Sequence, residues 1–201
     1  YLATNIANGD MLPEWLTSAD PDIVLMHLGT NDVWSNKSSS TILEAFTKLI
    51  GQMRDNNPKI KVLVSQIIPV SPSSCSECPA RTIDLNNSLV EWQRGITTAD
   101  SPVVLVDQWT GWDPSTDTSD GVHPNSTGIV KVSNNWYSPL TTLLDGGLPI
   151  SSTMTAVVPS VTLTTAPVTT TTTTPPTTTT TPSVSSVLFS FEDGIQGWFG
   201  L

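Results

Sequence analysis

An α/β fold, built on a parallel sheet covered on both faces, is what this sequence predicts, on three observations. Short apolar runs rich in branched residues occur three times before Asp145. Segments with helical periodicity separate them. The polar residues suited to chemistry follow the strands, as expected where sites form at the carboxyl ends of parallel strands.

The first strand is Ile23 to Leu28 in "PDIVLMHLGTND", short, branched and without helical period. A helix follows in "TILEAFTKLIGQMRDNNP", where Ile42, Leu43, Phe46, Leu49, Ile50 and Met53 share one face. Thr41 with Glu44 fits a capping box, and Asn57-Pro58 supplies the stop. "IKVLVSQIIPV", Ile60 to Val70, is the second buried strand. The loop "SPSSCSECPA" leads to a helix over about Thr82 to Thr98, and Val103 to Val106 is the third strand. A polar loop then runs to His123. The last helix begins near Pro124 and carries Ile129, Val132, Trp136, Leu140, Leu143 and Leu144. Pro139 inside it is expected to kink or shorten it.

Composition narrows the function classes. The 201 residues carry a net charge of −10 and no basic stripe, which argues against a nucleic-acid partner. No apolar run is long enough to cross a bilayer, and the sequence opening at Tyr1 shows no signal peptide. An acidic surface suits a neutral substrate. Between Asp145 and Glu192 there is no charged residue, and residues 151–186 are dominated by Thr, Pro and Ser. This is the composition of O-glycosylated stalks in secreted proteins. It buries too little apolar surface to offset its ordering entropy, so 146–186 is expected to be an extended, mobile linker and the protein secreted. The plainer alternative is a tail without glycans. Sequons at Asn36, Asn86 and Asn125 agree with export. Past the linker, "VLFSFEDGIQGWFGL" reads as a strand and then a turn at Asp193-Gly194, the opening of a second domain over 187–201.

Three residues carry the chemistry. Asp120 and His123 lie three apart in "SDGVHPNSTG". A serine hydrolase needs an imidazole to take the nucleophile's proton and a carboxylate to hold the other ring nitrogen. Spacing alone also allows Asp120 to be a helix cap and His123 a surface histidine. Asn31, in "GTND" after the first strand, places an amide where it could donate to a developing oxyanion; alone, it fits an Asx-turn equally well.

Together and in this order, "GTND" and "DGVHP" resemble two blocks of the SGNH, or GDSL-type, hydrolases. The strings "LMHLGTNDVW" and "SDGVHPNSTG" look most like acetylxylan esterases of carbohydrate esterase family 3. The resemblance covers Tyr1 to Asp145. It implies a flavodoxin-like three-layer sandwich, an oxyanion donor at Asn31, and an Asp120/His123 pair serving a serine. The family's earlier blocks, a Gly-Asp-Ser turn and a glycine after the next strand, have no counterpart before "GTND". "NGDM" lacks the serine, Ser18 sits at a helix end, Ser35 is too close to Asn31, and Ser65 is within a strand. The nucleophile is therefore expected outside these 201 residues, making 1–145 a partial hydrolase domain without strands 1 and 2. In the flavodoxin-like order 2-1-3-4-5 that leaves Ile23–Leu28 as an unpaired edge, which favours aggregation. The fragment is expected to be inactive.

The remaining candidates are peripheral. Cys75 and Cys78 in "CSEC" suit a local disulfide, or one of them pairs with a cysteine beyond the chain; no histidine near them completes a zinc site. Trp34, Trp109 and Trp112 lie in the loops around the site and either stack on sugar or pack the loops. His27, inside the first strand, reads as a core histidine. No cofactor or metal is expected, though the resemblance leaves room for a structural calcium. "FEDGIQGW" is similar to the opening of some β-sandwich carbohydrate-binding modules. The reading is a secreted, monomeric esterase acting on acetylated polysaccharide such as xylan. A non-catalytic wall-binding protein and an esterase for other esters are the alternatives.

Overall fold

The computed structural model describes residues 1–9, 11–149 and 187–190, the last for the backbone. The linker's 151–186 and the tail's 191–201 lie outside the described residues. Three parallel strands form the centre and one edge of the sheet: β1 (Ile23–Met26), β2 (Lys61–Ser65) and β3 (Val103–Val106). β1 is in register with β2 from Ile23↔Lys61 to Met26↔Val64, and β2 with β3 from Val62↔Val103 to Ser65↔Val106.

Strand alternation divides the core into two faces. Val24, Met26, Val62, Val64, Val103 and Leu105 face the larger cluster. That cluster is completed by α1 (Ala3–Asn8), α2 (Met11–Ala19), α4 (Ser39–Asn56) and α5 (Cys78–Ile96). Ile23, Leu25, Leu63, Val104 and Val106 face Val132, Trp136 and Leu143 of α7 (Ser126–Leu144). Two short helices, α3 (Thr30–Trp34) and α6 (Pro114–Asp117), stand beside the strands' carboxyl ends. The expected three-layer sandwich is therefore present.

Several expectations are revised. Val187–Ser190 forms β4, parallel to β1, and the sheet order is β3-β2-β1-β4. The edge expected to be unpaired is thus covered by a strand from beyond the linker. A strand exists where "VLFSF" predicts one, but it extends this sheet, because β1's outer backbone groups need partners. The cap of α4 is Ser38, whose Oγ accepts from Thr41 N at 3.2 Å; helix formation starts two residues before the Thr41–Glu44 box. Pro139 does not shorten α7, which runs to Leu144. The start of the chain, where the sequence signals only a helix end near Ser18, holds α1 and α2, which pack on α4.

Candidate active site

Gly29 ends the first strand segment in the left-handed region, at φ 111°, and opens α3. A Cβ there would lie 3.1 Å from Leu85 and 3.2 Å from Ile67, so both side chains would have to give way, and the positive φ itself favours glycine. The turn delivers Asn31 and Asp32 to opposite tasks. Asp32 is fully buried, and its carboxylate accepts from Ala3 N (2.7 Å), Thr4 N (3.2 Å) and Thr4 Oγ1 (2.9 Å). Leu2, which precedes α1, makes no side-chain cap, so Asp32 caps that helix from across the fold. Asn31 is half-exposed, and its Nδ2 donates to the Tyr1 carbonyl at 3.2 Å.

The second part lies in the loop after β3. Asp120 Oδ1 accepts from His123 N (2.8 Å) and Val122 N (3.0 Å), while Oδ2 meets His123 Nδ1 at 2.5 Å. Those bonds to His123, backbone first and ring second, with Val122 N after them, hold the Asp120 carboxyl down at about 2. It is an anion throughout the neutral range. An anionic acceptor on Nδ1 selects the tautomer that leaves Nε2 as the basic atom. Both side chains are about half exposed, at 49% for His123 and 51% for Asp120. The pair is therefore presented to solvent and does not cap a helix: Asn125 caps α7, accepting from Thr127 N and Gly128 N.

The loop is held from several sides. Ser119 N donates to His123 O at 2.9 Å, and Gly121 N to Thr118 Oγ1 at 2.8 Å. Gly121 O accepts from Ser71 N at 2.7 Å, joining this loop to the one after β2. Gly121 has φ 87°, and a Cβ would stand 2.3 Å from Ser71 O. Behind the loop, buried Asp117 accepts from Asp113 N (2.8 Å) and Lys131 Nζ (2.6 Å).

The other predicted residues separate clearly. Trp34, on α3, is 41% exposed, Trp109 is half-buried, and Trp112 is buried in the α7-side cluster. Of the two roles the sequence allows Trp112, sugar stacking and packing, its place in this cluster favours packing. Cys75 and Cys78 are joined in a disulfide. Asn36 is exposed. Asn86 is fully buried and bonds both Ile67 N (2.9 Å) and Ile67 O (2.8 Å), so it cannot carry a glycan in this fold. Asn125 Nδ2 donates to Thr116 O (2.8 Å) and Thr118 O (3.2 Å); a glycan would replace one of these hydrogens. Among the described residues no three His, Cys, Asp or Glu side chains cluster as a metal site.

Serines lie elsewhere. Ser65 ends β2 with its hydroxyl buried and unpartnered among the described residues. Ser119 Oγ donates to the His123 carbonyl at 3.3 Å, and Ser35 follows α3. Asp32 and Gly121 were missed as site-builders. Their signals were present, an acid beside the candidate amide and a glycine after the candidate acid, but each acts through contacts distant in sequence.

The sequence model of the GDSL-like Lipase/Acylhydrolase family matches residues 3–129. A multidomain esterase from Ruminococcus flavefaciens is 31% identical over 128 residues, covering 63% of this chain and 16% of that protein. The chain thus spans about a sixth of that relative's length. A carbohydrate esterase family 3 structure from Talaromyces cellulolyticus is 34% identical, with a TM-score of 0.65, over 71% of this chain and 68% of that one. An acetyl esterase mutant, solved with acetate ion, matches with the same values. A family 3 carbohydrate esterase from Clostridium thermocellum, 24% identical with a TM-score of 0.54 over 68% and 63% of the two chains, shares the fold.

Proposed function

We propose, since this chain belongs to the GDSL-like lipase/acylhydrolase family, that it is part of a secreted serine esterase that removes acetyl groups from a plant cell-wall polysaccharide such as xylan. The observation that carries this is the 2.5 Å contact of His123 Nδ1 with an ionised Asp120, on the loop after β3. It lies at the same carboxyl-end edge of the sheet as Asn31. The acetyl esterase and the family 3 carbohydrate esterase, each 34% identical, support acetyl transfer from sugar.

In this reading a serine supplied from outside the 201 residues attacks the acetyl carbonyl. His123 Nε2 takes the hydroxyl proton, and Asp120 stabilises the imidazolium through Nδ1. The carbonyl oxygen becomes an oxyanion facing the Asn31 amide, which serves as its donor. The sugar hydroxyl leaves with the proton from His123. Water, deprotonated by the same ring, then releases acetate and restores the serine. An N-glycan at Asn36 fits the exposed sequon.

The test is hydrolysis of 4-nitrophenyl acetate and release of acetate from acetylated xylan. The 201 residues alone are expected to be inactive. A protein in which a strand ending in Gly-Asp-Ser precedes Tyr1 is expected to be active and to lose activity on His123→Ala. Turnover by the 201 residues alone, abolished by His123→Ala, would place the nucleophile within them and overturn that part of the reading.

A further inference from the structure

We propose that the Cys75–Cys78 disulfide is a positioning device. It stiffens the segment from Ser71 to Arg81, which holds the helix of Asn31 and the turn of Asp120 and His123 in a fixed relation. This deepens the esterase reading and rests on it for the roles of Asn31 and His123.

The segment touches both halves of the candidate site. At one end, Ser71 N donates to Gly121 O at 2.7 Å, inside the turn between Asp120 and His123. The contact is backbone on backbone, so close that a Cβ on Gly121 would stand 2.3 Å from Ser71 O and 3.3 Å from Pro72 N. At the other end, Arg81 Nη1 donates to Val33 O at 3.4 Å, on α3 two residues after Asn31. One turn further along α5, Leu85 lies where a Cβ on Gly29 would meet it, at 3.1 Å. The start of α5 therefore backs the turn that delivers Asn31. The loop before α5 backs the turn that delivers His123.

The disulfide lies between these two attachments. Cys78 opens α5, is 1% exposed, and belongs to the same core cluster as Val33 of α3. Cys75 packs on that cluster, and so does Val122, the residue before His123. The bridge joins cysteines only three positions apart. Closing so short a loop restricts the unfolded chain little, so the bridge has small leverage on global stability. Its leverage is local. Ser73, Ser74, Ser76 and Glu77 around the cysteines are all exposed and bring no apolar side chain to the core. The shape of this stretch rests on the bridge, and motion released by opening it reaches Gly121 O through Ser71 N. Proton transfer is sensitive to such motion, because a displacement of about 1 Å can cost roughly a hundredfold in rate.

The test compares the intact 201-residue chain with Cys75→Ser/Cys78→Ser and with the folded chain reduced by a phosphine. In that reduction the S–S bond becomes two thiols, and water supplies their hydrogens and the oxygen of the phosphine oxide. Reduction of the folded chain decides the matter if the double variant fails to fold. Amide exchange at residues 119–123 is expected to speed up about tenfold without the bridge, while β2 and β3 keep their protection, and reoxidation should reverse it. The neutral His123 ring, identified by the nitrogen signals lost in His123→Ala, is expected to pass from one tautomer, with its hydrogen on Nδ1, to a mixture of two. In a protein that carries the serine, kcat should fall roughly tenfold with KM within about twofold. Ser76→Ala, which leaves the bridge, is expected to change none of these. Unchanged exchange and an unchanged tautomer in a folded chain without the bridge overturn the inference. So does exchange that rises equally in β2 and β3, which would make the bridge a general stabiliser. Exchange and tautomer are read without any serine, so the esterase reading fails separately, on hydrolysis that is indifferent to His123→Ala.

Discussion

Two aspartates on the same edge of the sheet have opposite employment. Asp32, after β1, is fully buried and uses its carboxylate on three donors of the first helix. Asp120, after β3, is half exposed and uses its carboxylate within its own turn, on Val122 N, His123 N and His123 Nδ1. Both are short polar side chains in glycine-containing turns. Burial decides the difference. A carboxylate removed from water must be satisfied by fixed donors, and so becomes part of the scaffold. A carboxylate left in water can hold a reactive ring without being essential to folding.

The contrast is broken most sharply at the exposed pair. In a protein that carries the serine, Asp120→Asn is expected to lower kcat by about 10³–10⁴-fold, because the ring loses its tautomer selection. The urea midpoint should barely move. An equal loss of stability would show that this aspartate is scaffold as well.

Asp32→Ala should do the reverse. It strands three donors in the interior, and about 4 kcal/mol of unfolding free energy is expected to go, read from urea denaturation. A loss under about 1 kcal/mol would mean that water replaces the carboxylate and that the clamp is dispensable.

His27 extends the comparison to a half-buried titratable residue whose Nε2 is shielded from solvent. Burial lowers its pKa from 6.5 to about 4, and its Nε2 has no partner among the described residues. The unfolded chain therefore binds a proton more readily than the folded one. Stability from this group is complete above about pH 6.5 and falls as the pH drops toward 4, by on the order of 3 kcal/mol. His27→Gln should flatten urea midpoints measured between pH 7 and pH 4; an unchanged slope would assign the dependence to other groups.

Gly121→Ala is expected to have the smallest effect, about 2 kcal/mol, because a Cβ 2.3 Å from Ser71 O forces the loop off its neighbour. Hydrogen exchange at residues 119–123 should speed up while that of β2 stays slow. Protection equal to wild type would show that Ser71 yields instead.

Much of the fold was legible because its strands are short branched runs and its long helices have one apolar stripe. Val103–Val106 falls where expected, and α4 buries Ile42, Phe46, Leu49, Ile50 and Met53 of the predicted face. The contact of acid and imidazole was legible because Asp120 and His123 are neighbours in sequence. Local pattern failed where a distant group intervened. The sequence leaves Trp112 between sugar stacking and packing until α7 covers it, and offers Asn86 as a glycan site until its amide pairs with Ile67. Ser38 took the cap of α4 from Thr41, since in the run Ser38-Ser39-Ser40-Thr41 hydroxyl chemistry alone does not choose among neighbours.

By itself, then, the sequence determined the α/β class, the order of strands and helices along the chain, and the pairing of an acid with a base across one turn. Each depends on spacing within a few residues, where backbone geometry leaves few choices. Tertiary structure alone decided that Asp32 would clamp α1, that Gly121 would lie against Ser71, and that Val187–Ser190 would cover the edge of β1. Those contacts join residues dozens to more than a hundred positions apart. Which donor meets which acceptor across such separations is set by how the layers pack, because buried polar groups and open strand edges must be satisfied by whatever the fold brings to them.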